Sequence, residues 1–294
     1  MKISYIDKNF SRSTLDLIET CNEIIDEFDQ QGFTLTLRQL YYQLVTREVI
    51  ANRQTEYKRL GSIVNDARWA GLIDWLAIED RTRNLRSLPT WTHPANIINS
   101  AISQYRIDFW SSQRYRPEVW IEKDALTGVI SGVCNSWRVP YFSCRGYVSA
   151  SEIWTAAQRA LGYTAERQKL YIIHLGDHDP SGLDMTRDIR ERLAQLSDFQ
   201  ADIEVSRIAL SYDQVDLYRL PPNPAKVTDS RYDDYAMIHG DESWELDALS
   251  PIDIVDLIEQ EIKSLIDSDK WQASIVQEEN GKKLLEKAKG AIMS

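Results

Sequence analysis

The residues best suited to chemistry fall in three short strings of this 294-residue chain: TLRQLYYQLV (36–45), PEVWIEKDAL (117–126) and IIHLGDHDPSGLD (172–184). The third holds a D-x-D, Asp177 and Asp179, in a Gly/Pro-containing turn that can aim both carboxylates into one space. Glu122 ends an apolar, β-rich run in the second string. Three carboxylates brought to one sheet edge would make a hard oxygen site of the kind Mg²⁺ prefers, with water and phosphate completing it. A plainer reading stands beside this one. Asp179 before Pro180 suits a helix N-cap with proline at the first helical position, and a strand-end Glu122 can be an ordinary surface residue.

In the first string Leu37, Leu40, Tyr41, Leu44 and Val45 follow the stripe by which a helix faces a core. Tyr41 belongs to that stripe, whereas Tyr42 lies about 100° further round. Arg38 sits four residues before Tyr42 and so on its face of the helix. One ring is therefore expected to pack and the other to be presented beside a guanidinium. A phenol is a weak nucleophile at neutral pH; an arginine beside it can hold a phosphate and stabilise transition-state charge. The alternative is a partly exposed aromatic on a DNA-facing helix.

Two kinds of pattern must position these residues. The first 95 residues read as helical: TLDLIETCNEIIDEF (14–28) has a helical apolar period, Thr36 looks like a cap for a helix to Val45, and a third helix is expected from Tyr57 to Trp69. LIDWLAIEDRTR would add a short strand and a basic hairpin, and a linking helix is expected over Ala95–Trp110. From about residue 112, β-rich runs (VWIE, VPYFSC, KLYIIHLG, DIEVSRIAL) alternate with helical segments, which predicts a mostly parallel sheet covered on both faces. In such sheets ligands gather at the carboxyl ends of the strands. Two further helices are expected at 251–267 and 281–292.

Bulk properties bound the function. Net charge is −11, yet residues 31–120 carry twelve Lys/Arg against eight Asp/Glu and residues 241–294 carry six against thirteen. A basic face thus remains available in the first half for nucleic acid. No run approaches the roughly 18 apolar residues of a membrane span, and the N-terminus has no signal-peptide pattern. Cys21, Cys134 and Cys144 show no C-x-x-C spacing, which fits a reducing, cytoplasmic setting. His93, His174, His178 and His239 lack metal-ligand spacing. Trp69, Trp75, Trp91 and Trp110 suit packing. Glu245 or Asp247 would lie near a metal or cap a helix.

The strings VWIEKDAL, SCRGYVSASEI and LGDHDPSGLDM resemble, in order and spacing, the Toprim domain shared by topoisomerases, primases and some nucleases. The variant is most similar to the A subunit of topoisomerase VI and the meiotic double-strand-break transesterase. The family's strand-end E-K-D-A stretch maps to Glu122–Ala125, its R/K-G-Y loop to Arg145–Tyr147 and its D-x-D-P-x-G turn to Asp177–Gly182, with His178 where a small residue is common. T-x-R-x-x-Y-Y, here Thr36, Arg38, Tyr41 and Tyr42, is similar to the motif of that family's winged-helix domain.

The resemblance implies an α/β chain with a winged-helix DNA-binding domain over 1–95 and a Toprim domain with a helical extension over 112–294. It implies DNA cleavage by Tyr42, assisted by Arg38, to give a 5′-phosphotyrosyl link. Glu122, Asp177 and Asp179 would hold Mg²⁺; Arg81, Arg83, Arg86, Lys123 and Arg145 would contact DNA. It also implies a homodimer in which the tyrosine of one protomer meets the metal of the other. Tyr42 comes early, leaving little room for the segment that docks an ATPase subunit, so such a partner is not required and a compact stand-alone relative is expected. Two other readings compete: a hydrolytic Toprim nuclease using metal-activated water, and a non-catalytic winged-helix DNA-binding protein.

Overall fold

The computed structural model describes residues 2–78 and 88–293, without the side chains of 94 and 290–293. The chain is mixed α/β. Three helices lead: α1 (Arg12–Gln30), α2 (Leu37–Thr46) and α3 (Gln54–Trp69). Ser11 caps α1 through the Thr14 N–H, and Thr36 caps α2 in a reciprocal box with Gln39; such boxes satisfy amide groups that a helix start leaves unpaired. Leu17, Ile18, Cys21, Ile24 and Phe28 of α1 pack in one core with Leu40, Leu44, Leu60 and Val64. Of the strand and hairpin expected over 72–83, residues 79–83 lie outside the described residues, as do Arg81, Arg83 and Arg86. Its described part shows turns and one parallel bridge, Leu35 to Ile78.

The linking helix is shorter than expected. Helix α4 (Pro94–Gln104) stops at Tyr105, whose backbone is extended. A separate 3₁₀ turn, Phe109–Ser112, follows under an Asp108 cap. Glu278 accounts for the break by accepting the Ile107 N–H at 3.0 Å.

Four parallel strands follow: β1 (Tyr115–Ile121), β2 (Tyr141–Ser143), β3 (Lys169–Leu175) and β4 (Ile203–Ala209), in the order β2-β1-β3-β4. Side chains alternate across the sheet. Trp120, Leu170 and Ile172 pack on α6 (Ala150–Ala165) and α7 (Pro180–Leu196). Val119, Ile121, Ile173 and Leu175 face the other way, in the core that includes α5 (Thr127–Ser136) and α10 (Pro251–Ser264). That core also contains the buried residues of α1–α3. From β1 the chain moves to one side for β2 and to the other for β3. The carboxyl ends of β1 and β3 therefore flank the switch point at which open parallel sheets bind ligands. Ile121 pairs with Leu175, setting Glu122 level with Gly176.

The stretch before α10 contains α8 (Tyr212–Tyr218), α9 (Tyr232–His239) and a two-residue antiparallel pair, β5 (Asn223–Pro224) with β6 (Glu242–Ser243). The last helix, α11 (Ser268–Met293), begins well before residue 281, and Gly281 does not break it. That glycine lies against Tyr105, whose ring would collide with a Cβ there. Glu278 ties the same helix to Arg138 and pairs with Lys282 one turn along it.

Candidate active site

The D-x-D turn runs from the end of β3 into α7. Asp179 caps α7, its Oδ1 accepting from Gly182 N at 2.6 Å and from Ser181 Oγ at 2.9 Å. Gly182 is the residue the turn can accept, because a Cβ there would strike the Asp177 carbonyl oxygen. Beneath the turn Arg207 of β4 donates to the carbonyls of Gly176 (2.8 Å), Asp177 (2.6 Å) and Gly182 (2.9 Å). Burial lowers its pKa to about 10. Sequence reasoning missed Arg207; the available signal was a cation inside the β-rich run DIEVSRIAL.

Glu122 reaches across from β1, and its Oε2 accepts the Asp177 N–H at 2.9 Å. Gly176 leaves room, since a Cβ there would lie 3.0 Å from that oxygen. Burial raises the Glu122 pKa; the Asp177 amide opposes the shift, and Asp179 adds to it. Asp177 is raised as well, by burial against the counter-pull of Lys123. Low-dielectric surroundings penalise the charged form in both cases.

His178 explains how a distant segment arrives. Its N–H donates to the Trp244 carbonyl at 2.8 Å, and Trp244 returns a bond of 3.0 Å. This bridge holds residues 244–248 against the D-x-D turn. Leu246 N then donates to Asp177 Oδ1 at 2.8 Å. Glu245 and Asp247, which sequence left between a metal and a capping role, are thereby placed at the centre. Asp247 has a fully buried side chain and lies 2.6 Å from Arg38 Nε. Beyond that ion pair, its Oδ1 has no hydrogen-bond donor.

Lys123 joins the two groups of acids. Its Nζ lies 2.7 Å from Asp177 Oδ2 and 2.7 Å from Glu245 Oε2. Burial would lower its pKa, but Asp177, Asp247 and Glu245 outweigh that and raise it. Lys123 thus points inward, into the group of carboxylates at the end of the sheet. Arg145 is 73% exposed and pairs with Asp124.

The outward face expected for Tyr42 is corrected by the structure. Helix α2 packs against the 3₁₀ segment Leu246–Ala248, and Tyr42 is only 5% exposed, much like Tyr41. The chain's own 245–248 segment covers the face that helical geometry left free. Arg38 does lie beside Tyr42, 5.9 Å from its ring centroid, and it pairs with Glu245 and Asp247. Burial raises the Tyr42 pKa, Glu245 raises it further, and Arg38 offsets part of the rise. Tyr41 is fixed separately, donating to Asn52 Oδ1 at 3.0 Å.

Tyr42, Arg38, Lys123 and the carboxylates therefore converge within one chain, at the sheet's switch point. Among the described residues no three His, Cys, Asp or Glu are gathered closely enough to hold a metal ion. Backbone amides and Lys123 occupy several of the carboxylate oxygens instead. The donor set nevertheless suits a hard divalent cation. Among the described residues, the cations set against Glu122, Asp177, Asp179, Glu245 and Asp247 are Arg38, Lys123 and Arg207. Five carboxylates against three cations leave a formal excess of two carboxylates, and burial raises the pKa values of Glu122, Asp177 and Asp247. Compared with protein-family models, with curated proteins and with solved structures, the chain matches none.

Proposed function

We propose that this chain is a winged-helix and Toprim-type enzyme that cleaves DNA by Mg²⁺-dependent transesterification. Tyr42 is the nucleophile, and its oxygen forms the bond to phosphorus as the deoxyribose 3′ oxygen leaves, giving a 5′-phosphotyrosyl link. The observation that carries the reading is the meeting of Tyr42 and Arg38 with Lys123, Glu245 and Asp247 beside the Glu122–Asp177 pair. Arg38 and Lys123 are the cations placed to hold the scissile phosphate. Glu122, Asp177 and Asp179 would hold Mg²⁺, which supplies Lewis-acid stabilisation of a developing oxyanion. The tyrosine proton has carboxylate acceptors nearby in Glu245 and Asp247. A homodimer, each chain closing its own acidic site with its own α2, would cut both strands.

Incubation with end-labelled DNA and Mg²⁺, followed by denaturation, tests this. A protein–DNA adduct that disappears in Tyr42→Phe is the expected result. Burial of Tyr42 specifically favours the second reading, hydrolysis by activated water. Free cut ends that persist in Tyr42→Phe and vanish in Asp177→Ala would establish that reading instead.

A further inference from the structure

A cleft of about 300 Å³ opens beside Tyr42, between α2, the start of α3 and the β5–β6 pair. Its size sits at the lower end of the roughly 300–1,000 Å³ typical of small-ligand pockets. Its lining combines a charged pair, Arg38 with Glu245, with two further chemistries. Tyr41, Tyr42 and Tyr57 supply rings, with Tyr41 edge-on to Tyr42 at 5.2 Å and to Tyr57 at 5.3 Å. Asn52, Gln54 and Asn223 supply carboxamides.

The amides are oriented. Tyr41 Oη donates to Asn52 Oδ1, which turns Asn52 Nδ2 toward Asn223 Oδ1 at 2.7 Å. Asn223 Nδ2 ends this relay and has no acceptor. That amide nitrogen is shut off from solvent behind the cleft wall, and its desolvation cost is relieved if the Asn223 side chain turns toward a ligand acceptor. Flat rings with fixed amide donors and acceptors are what a protein uses to read an unpaired base, by stacking and by bonding its Watson–Crick edge.

We propose that this cleft takes one unstacked nucleobase of the bound DNA strand, next to the scissile phosphate. The proposal rests on the DNA-cleaving reading above and deepens it, because Tyr42 is at once a cleft wall and the nucleophile. A base seated there fixes the register of the neighbouring phosphate against Tyr42 and Arg38. Cleavage then requires single-stranded or easily unpaired DNA at that position. Asn223 Nδ2 selects a base with a carbonyl or ring-nitrogen acceptor.

The test reads binding without cleavage. The full chain in EDTA is titrated with thymidine 5′-monophosphate, deoxyribose 5-phosphate, an eight-residue thymidine strand and an abasic strand of equal phosphate count. Base-bearing ligands should bind about tenfold tighter than their abasic counterparts, as loss of base stacking typically costs. Tyr57→Ala and Asn223→Ala should remove most of that difference and leave abasic binding unchanged. Gln54→Ala, on an exposed residue that folding does not require, should weaken base-bearing ligands about threefold. Equal affinity for base-bearing and abasic ligands would overturn the proposal. So would discrimination seen only with the free nucleotide, which would assign the cleft to a mononucleotide and not to a strand. Base discrimination without an adduct would remove the cleavage reading alone, whereas an adduct without discrimination would remove the cleft alone.

Discussion

Tyr42 sits where its phenol is hardest to ionise, buried and beside Glu245. Removing the negative charge in Glu245→Gln takes away a cause of the raised pKa, so the Tyr42 ring should titrate at lower pH than in the wild type. ¹³C-tyrosine NMR reads this, and an unchanged or higher titration would contradict the placement. Lys123 is the other critical residue, because Asp177 and Glu245 share its ammonium. Lys123→Met leaves both carboxylates without that partner and should cost about 3–5 kcal/mol in denaturant unfolding. Added Mg²⁺ should recover more stability in this variant than in the wild type. The pairing of Arg38 with Tyr42 was legible because it needs only helical geometry. The burial of Tyr42 was not, because a segment two hundred residues away covers it.

At the scale of elements, the D-x-D turn performs two tasks, and Asp179 separates them. Its carboxylate caps α7 through Gly182 N, so Asp179→Ala should lose about 1 kcal/mol of stability. Asp179→Asn keeps a capping acceptor and should unfold like the wild type while losing Mg²⁺-dependent cleavage. Equal destabilisation by both variants would show that the charge, and not the cap, stabilises the helix. The inner strands β1 and β3 were legible because parallel strands buried on both faces read as continuous apolar runs. The role of Glu245 and Asp247 was not, since it depends on the His178–Trp244 bridge, a tertiary pairing that leaves no local pattern. Likewise Gly281 reads as a helix boundary, yet packing against Tyr105 keeps it inside α11.

At the scale of the molecule, α11 is fastened to the sheet unit by Glu278, which bonds Arg138 and the Ile107 N–H. The Arg138 hydrogen bonds are the main cause holding its pKa down, to about 2. Depressed carboxylates stabilise the fold above their unfolded pKa of about 4.3 and lose that contribution as pH falls through the folded value. Stability should therefore decline between about pH 4.3 and 2, by on the order of 2–3 kcal/mol from this group. Glu278→Gln should flatten that slope, and an unchanged slope would contradict the assignment.

The same scale decides whether the site is completed within one chain. A mixture of Tyr42→Phe and Asp177→Ala proteins should form no adduct if each chain supplies both tyrosine and acids. Recovery in the mixture would mean that the tyrosine crosses to a second copy.

The most direct measurement locates the bond itself. Trypsin should release residues 39–47, QLYYQLVTR, from adduct formed with DNA and trimmed by nuclease. Fragment masses should place the nucleotide on Tyr42. A nucleotide on Tyr41, on a tyrosine outside this peptide, or on none would contradict the assignment of Tyr42 as the nucleophile.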